Sequence, residues 1–166
     1  GQISIAGNVV DIKGEVGNEV TRQQIVSELS TRLNTTYTVR NGLRVGAAGP
    51  DQVDLTLANR TIEFETGNSM LTPNGRQVLD LLVPVLQRLP GRSFEVTGHT
   101  DAQGSQTQNI ALSAARADAV KAYLVGKGIA TENITTSGVG PDRPIASNDT
   151  PEGRARNRRI ELRVGQ

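Results

Sequence analysis

The chain has 166 residues, and 18 Lys and Arg stand against 17 Asp and Glu, a formal net charge of +1. That length fits one large domain, or one ordinary domain with a small companion. The near balance of charge argues against a general polyanion binder, and the absence of cysteine excludes disulfides, thiol nucleophiles and Cys-ligated metals. The only aromatics are Tyr37, Phe64, Phe94 and Tyr123, so the core must be aliphatic and base-stacking platforms are nearly excluded. No apolar run is long enough to cross a bilayer as a helix. The chain starts at Gly1 without methionine and reads as a piece of a longer protein, so the lack of a targeting segment says little about the whole.

The first segment, "ISIAGNVVDIKGEV", alternates apolar and polar residues around Gly7-Asn8, which predicts a hairpin of two short strands. In "GNEVTRQQIVSELSTRL" the residues Val20, Ile25, Val26, Leu29 and Leu33 approximate helical spacing, with Asn18 as N-cap. "TYTVRNGLRV" alternates at Tyr37, Val39, Leu43 and Val45 and reads as a strand, its pattern broken at Asn41-Gly42. A unit this small buries little surface alone. "GAAGPDQ", from Gly46 to Gln52, reads as a linker, dividing the chain into residues 1–50 and 51–166.

"VDLTLANRTIEFE" alternates again, as one long strand or two broken at Asn59-Arg60. "LTPNGRQVLDLLVPVLQRLP" is a well-marked helix. Thr72 caps it, Pro73 sits at the first helical position, and Val78, Leu79, Leu82, Val85, Leu86 and Leu89 form the apolar stripe. Pro84 removes a backbone donor within that stripe and should bend the helix. "RSFEVTGHT" is a strand with Phe94, Val96 and Gly98 on one face. A polar loop follows, then a long alanine-rich helix entered at Ser105–Asn109, with Ile110, Leu112, Ala117, Val120, Tyr123 and Leu124 as its buried positions. "NITTSGVG" is a strand. "PDRPIASNDTPEGRARN" is a long connection with a helical turn near Pro151–Arg156, and "RRIELRV" closes as a strand. The second part therefore reads β-α-β-α-β-(loop)-β, an α+β arrangement in which both helices cover one side of a mixed sheet, a two-layer α/β sandwich.

Two charged residues stand out. Asp101 heads the polar loop "GHTDAQGSQTQN", and Arg116 is alone in an alanine-rich helix otherwise free of positive charge until Lys121. On spacing alone, Asp101 reads as a turn or cap residue and Arg116 as a solvated or paired base. The two could also staple the turn to the helix by pairing with each other, which at an exposed site contributes about 0–1 kcal/mol. The competing reading is a receptor for a ligand that carries both charges. His99 is the only histidine, so no two-histidine zinc site is possible, and no poised nucleophile accompanies it. It reads as a packed strand-end histidine. "GRARNRR" holds four arginines and is the most basic patch, but near-zero overall charge and scarce aromatics disfavour nucleic acid as a partner.

In order along the chain, "IEFETGNSMLTPNG", "EVTGHTDAQGSQTQNIALSAARADAVKAYLVGKGI" and "TSGVGPDRPIASNDTPEGRARNRRIEL" resemble the C-terminal, peptidoglycan-associating domain of the OmpA type, also found in Pal and MotB. The resemblance runs from about Thr61 to Val164. It implies a non-enzymatic domain that binds peptidoglycan through the diaminopimelate of the stem peptide, without cofactor or metal, in the periplasm of Gram-negative bacteria. By resemblance, Asp101 and Arg116 contact the diaminopimelate, Thr100, Asn109, Leu112 and Ser113 line the same site, and Arg158 contributes. Many relatives carry an Asp or Asn near the position of Gly67, in an "FD"-type motif, where this chain reads "FETGNS", with Glu65 as a partial substitute. "GNVVDIKGEV", the helix after it and "YTVRNGLRV" resemble a small BON-like module. Partners implied are peptidoglycan and outer-membrane or envelope proteins, with membrane contact made only by segments outside this chain. The alternative is an envelope assembly module with weak or no peptidoglycan binding.

The chemistry of the implied ligand suits these residue types. Diaminopimelate ends in an ammonium and a carboxylate on one carbon. An aspartate is an acceptor-only anion for the first, and an arginine offers a planar two-donor fork to the second, which lysine matches poorly.

Overall fold

The structure, a computed structural model, describes residues 9–33, 37–46, 52–58, 62–65, 67–88 and 93–165. Its elements in chain order are β1 (Val9–Val16), α1 (Glu19–Leu33), β2 (Thr38–Val45), β3 (Gln52–Ala58), α2 (Pro73–Arg88), β4 (Ser93–His99), α3 (Gln106–Gly126), β5 (Ile134–Gly140), α4 (Pro151–Asn157) and β6 (Arg159–Gly165), with a short 3-10 turn at Thr131–Asn133. The strands form one sheet in the order β2-β1-β3-β6-β4-β5. The pairs β1–β2 and β4–β5 are parallel, each spanned by a helix, and β6 lies between β3 and β4, antiparallel to both.

The local signals act as their chemistry dictates. The Asn18 side chain accepts the Thr21 N–H at 2.8 Å at the head of α1. The Thr72 hydroxyl accepts the Gly75 N–H at 3.1 Å, and Pro73 opens α2. Each cap satisfies a donor that the first helical turn leaves without an internal partner. The stripe Val78, Leu79, Leu82, Val85 and Leu86 is buried, and α2 continues through Pro84 to Arg88. Leu89 lies outside the described residues, as do the first strand and the turn of the hairpin expected around Gly7-Asn8, whereas Val9–Val16 forms a single strand. The strand expected over this segment runs from Thr38 to Val45, straight through the Asn41-Gly42 break in its alternating pattern. Its pairing with β1 supplies the ladder that carries the chain across the glycine.

β1 and β2 come from the part expected as a first module, and β3, β4, β5 and β6 from the second. All six share one sheet, and β1 pairs directly with β3 from Val10↔Leu57 to Glu15↔Gln52. Alternate strand residues, among them Ile12, Leu55, Val96 and Leu162, are fully buried and pack in one cluster with Leu29, Leu82 and Leu124 of the helices. The opposite positions carry charge in alternation. One row across the sheet reads Lys13, Asp54, Arg163, Glu95, with Arg163 Nε donating to Asp54 Oδ1 at 2.8 Å. Cross-strand pairs of opposite charge are mutually stabilising and keep this face wetted. The sheet is therefore packed by helices on one side, as the periodicity predicts.

Two glycines set how closely α3 approaches the sheet. A Cβ on Gly98 would lie 2.2 Å from the Ser113 carbonyl oxygen, and one on Gly138 would lie 2.1 Å from the Ala114 nitrogen. Backbone-to-backbone contact of this kind tolerates no side chain. It fixes α3 over the β4–β5 pair, and with it the position of Arg116, less than one turn further along.

Candidate functional site

The chain leaves β4 at His99, where the register with β5 shifts between Gly98 and His99. The Thr100 N–H donates to the Gly140 carbonyl at 2.9 Å, and the Thr100 hydroxyl donates to the Asp101 carbonyl at 2.8 Å. Asp101 Oδ1 accepts the Gln103 N–H at 2.9 Å, the turn role that residue type alone suggests. Gly104, at φ +86°, reverses the chain. Ser105 caps α3, accepting the Gln108 N–H at 3.4 Å. Asn109 Nδ2 donates to the Gln103 carbonyl at 2.7 Å and ties the loop to the helix. The loop that presents Asp101 is thus held at both ends.

The other oxygen of Asp101 does something spacing alone does not reveal. Oδ2 accepts Arg158 Nη1 at 2.6 Å, across 57 positions of sequence. The cause is topological. β6 runs antiparallel beside β4 with His99 opposite Arg159, so the residue preceding β6 lies against the loop following β4. Asp101 is nearly buried, its side chain 10% exposed, while Arg158 remains 38% exposed.

Arg116 does not pair with Asp101. Its Nε donates to the Asn68 carbonyl at 3.0 Å, and its guanidinium carbon lies 5.0 Å from the centroid of the Phe64 ring. Burial, and then the neighbouring positive charge of Arg158, push its pKa below the ordinary arginine value. It stays a cation all the same, since arginine starts far above neutral pH. Arg116 and Arg158 are therefore neighbouring like charges, and Asp101 is paired with the second of them. Among the described residues no acceptor meets the two terminal nitrogens of Arg116. The arrangement can take an anion at Arg116, and Asp101, bound to the neighbouring Arg158, supplies an acceptor.

The remaining expected residues sit as follows. Ser113 is 1% exposed, donates to the Ile110 carbonyl at 2.9 Å and accepts the Gly140 N–H at 3.0 Å, so it pins α3 to β5. Leu112 is half-buried one residue earlier. Glu65 is exposed and belongs to the turn before α2, where its carboxylate accepts the Asn68 side-chain amide at 3.4 Å. The residues that sequence reasoning missed are Phe64 and Asn68, which hold Arg116, and Asn157. Asn157 is fully buried and accepts the Ile145 and Ala146 N–H groups at 2.7 and 2.9 Å, which shapes the loop before α4. Its position at the head of "NRRIEL" was the available signal.

Beneath the cluster lies a second set of charges. His99 is buried, and its Nε2 stands 3.2 Å from Glu161 Oε1. Neither ring nitrogen makes an aligned hydrogen bond, so this approach is a close polar contact rather than a directed bond. Arg159 is also buried. It donates to Glu161 Oε2 at 2.8 Å and to the carbonyls of Asn157 and Arg143 at 3.1 and 2.9 Å. His99 first, then Arg159, hold the Glu161 carboxyl down at about 2, against the opposing pull of burial. Of the four arginines in "GRARNRR", Arg158 and Arg159 are thereby ion-paired and Arg154 donates to the Asn148 carbonyl at 3.0 Å.

Cavity size does not mark this site. A void of about 10 Å³ touches Phe64, His99, Ser113, Arg116 and Arg159. A larger groove of about 640 Å³ runs along α1 and α2 past Val20, Ile25, Glu28, Val85 and Arg88, away from the charge cluster. A charged amino acid head is recognised by convergent donors and acceptors more than by enclosure, so the charge cluster is the stronger candidate.

The OmpA family model matches residues 63–158, more than half of the chain. The chain belongs to the OmpA family. Within it, this chain is 46% identical over 101 residues to outer membrane protein A of Bordetella avium, covering 61% of this chain and 52% of that protein. It is 44% identical over 103 residues to the peptidoglycan-binding protein ArfA of Mycobacterium tuberculosis, covering 62% of this chain and 32% of ArfA. The OmpA-family chain thus spans about a third to a half of the length of these curated relatives. Among solved structures, the cell wall anchor of the T6SS from Pseudomonas aeruginosa superposes with a TM-score of 0.69 at 26% identity, over 87% of this chain and 98% of that one. The periplasmic domain of Helicobacter pylori MotB superposes with a TM-score of 0.62 at 25% identity, over 71% and 80%. The matched segment, residues 63–158, begins after β3, so it does not reach the BON-like part expected over residues 1–50.

Proposed function

We propose that this OmpA-family chain binds peptidoglycan non-covalently and anchors an envelope protein to the cell wall on the periplasmic side of the outer membrane. The observation that carries the reading is the charge cluster: among the described residues the terminal nitrogens of Arg116 meet no acceptor, and its neighbour Arg158 is paired with Asp101. The relatives include a protein named for peptidoglycan binding and a cell wall anchor, which supports the same reading. In its finer form the ligand is the diaminopimelate of the stem peptide. Its side-chain carboxylate takes the Arg116 fork, and its ammonium takes an oxygen of Asp101. Asp101 already serves Arg158, so the ammonium joins or displaces that guanidinium rather than meeting a lone carboxylate. Thr100 and Asn109 hold the loop that presents Asp101, and Ser113 and Leu112 seat the helix that presents Arg116. Residues 1–50 act in this reading as a BON-like unit continuous with the binding sheet.

The test is co-sedimentation with purified diaminopimelate-type sacculi, followed by titration of a stem tripeptide under amide chemical-shift detection. The expected result is sedimentation of the wild-type protein, loss of it in a folded Arg116→Ala variant, and shifts confined to Thr100–Arg116 and the residues around Arg158. Sedimentation of Arg116→Ala equal to wild type refutes the site. Absence of any shift at millimolar tripeptide favours an envelope assembly role.

A further inference from the structure

We infer that the Phe64 ring and the Gly67–Met70 turn form a positioning device for Arg116, occupying one face and the Nε of its guanidinium so that only its two terminal nitrogens are presented to a ligand. This rests on the peptidoglycan reading for the identity of the ligand, but not for the geometry.

An arginine on a helix surface has a long stem with many rotamers, and ordering it costs free energy each time a ligand binds. Arg116 has an added reason to wander, because Arg158 is a like charge close enough to depress its pKa. Left to electrostatics, its guanidinium would swing away from Arg158 into water. Two contacts oppose that. Phe64 is 5% exposed, its backbone is held in a β-bridge to Leu71, and its ring lies under the guanidinium. A cation over an aromatic face is attracted to it, and more strongly where water is displaced. The Asn68 carbonyl then fixes the rotation of the guanidinium plane through Nε.

The turn that supplies this carbonyl is closed by its own bonds. The Glu65 N–H donates to the Met70 carbonyl at 2.8 Å, the Asn68 N–H to the Glu65 carbonyl at 3.2 Å, and the Met70 N–H to Asn68 Oδ1 at 2.8 Å. Gly67 takes φ +75° within it. Relatives are expected to carry an "FD"-type motif here. In this chain the Glu65 carboxylate is turned to the Asn68 side chain, and it is the Asn68 backbone that meets Arg116. Carboxylates bind guanidinium forks either side-on, through Nε and one terminal nitrogen, or end-on through both terminal nitrogens. With Nε taken, the end-on mode is the one left.

Gly67→Ala isolates the device. The space around Gly67 is open, with no atom within 4 Å of an added Cβ, so the variant meets no clash and acts only through the positive φ. Phe64→Leu removes the ring face, and Phe64→Tyr restores it. Two readouts are used. The first needs no ligand: the Arg116 Nε–Hε resonance in ¹⁵N-labelled protein, whose solvent exchange is slow in the wild type and accelerates in Gly67→Ala and Phe64→Leu but not in Phe64→Tyr. The second is stem-tripeptide affinity, which falls by up to about tenfold in Gly67→Ala and Phe64→Leu, because the Arg116 side chain must then be ordered at each binding event, and recovers in Phe64→Tyr. Unchanged Hε exchange in folded Gly67→Ala and Phe64→Leu overturns the inference. So does unchanged tripeptide affinity in both, when the wild type binds and Arg116→Ala does not. Failure of the wild type to bind tripeptide refutes the peptidoglycan reading alone, and the Hε exchange still decides the positioning.

Discussion

Replacing Asp101 by Asn separates a turn residue from a receptor residue. The two side chains are isosteric, and asparagine serves as well as aspartate in a turn, so the bond from the Gln103 N–H at 2.9 Å survives. What is lost is the negative charge that accepts Arg158 at 2.6 Å. Because Arg158 is 38% exposed, solvent screens the pair, and its contribution to folding is about 1 kcal/mol. For a chain of this length that is a fall in Tm of roughly 2–4 °C. Binding suffers more. The ligand ammonium loses a charge-assisted bond of about 1.5–3 kcal/mol, or roughly 10–150-fold in affinity, and it also faces the Arg158 guanidinium with no anion to offset it. Thermal unfolding by circular dichroism and calorimetric titration of the stem tripeptide measure the two effects on the same sample. A variant that binds within about threefold of wild type refutes the assignment of Asp101 to the ammonium and leaves it as a turn residue.

Gly98→Ala places a methyl 2.2 Å from the Ser113 carbonyl oxygen and must lift α3 from the sheet, at a cost of about 1–3 kcal/mol. Urea denaturation reads the loss, and an unshifted midpoint shows that the close approach of helix and strand does not matter. The Glu161 carboxyl, held at about 2 by His99 and Arg159 against an ordinary 4.5, predicts a particular acid limb. A carboxyl whose folded pKa is depressed stabilises the fold fully above its unfolded pKa, and that stability drains away as pH falls from 4.5 towards 2. Glu161→Gln should therefore lower Tm at neutral pH and show a shallower decline across that window, and an identical pH profile contradicts the pairing.

Much of the fold is readable because its signals are local. Thr72 and Asn18 satisfy orphan donors within their own first turns, and the stripe from Val78 to Leu86 repeats at helical spacing, so neither depends on distant residues. The alternation in "RRIELRV" and "RSFEVTGHT" gives strands whose inner residues Ile160, Leu162, Phe94 and Val96 are buried. Ser113 marks the limit. Resemblance puts it among the residues that line the site, yet its hydroxyl is spent on Ile110 and Gly140. Nothing local distinguishes a serine that faces a ligand from one that joins a helix to a strand.

The sequence by itself determined the element order, the caps, the apolar face of each element, and the placing of one acid before α3 and one base midway along it. Only the tertiary structure decided their partners. The last strand, β6, inserts between β3 and β4, which delivers Arg158 to Asp101 across 57 positions. The turn before α2 delivers the Asn68 carbonyl to Arg116 across 48 positions. Strand order and loop closure are settled by long-range pairing and by the burial of the whole sheet face, and no short window of sequence carries either.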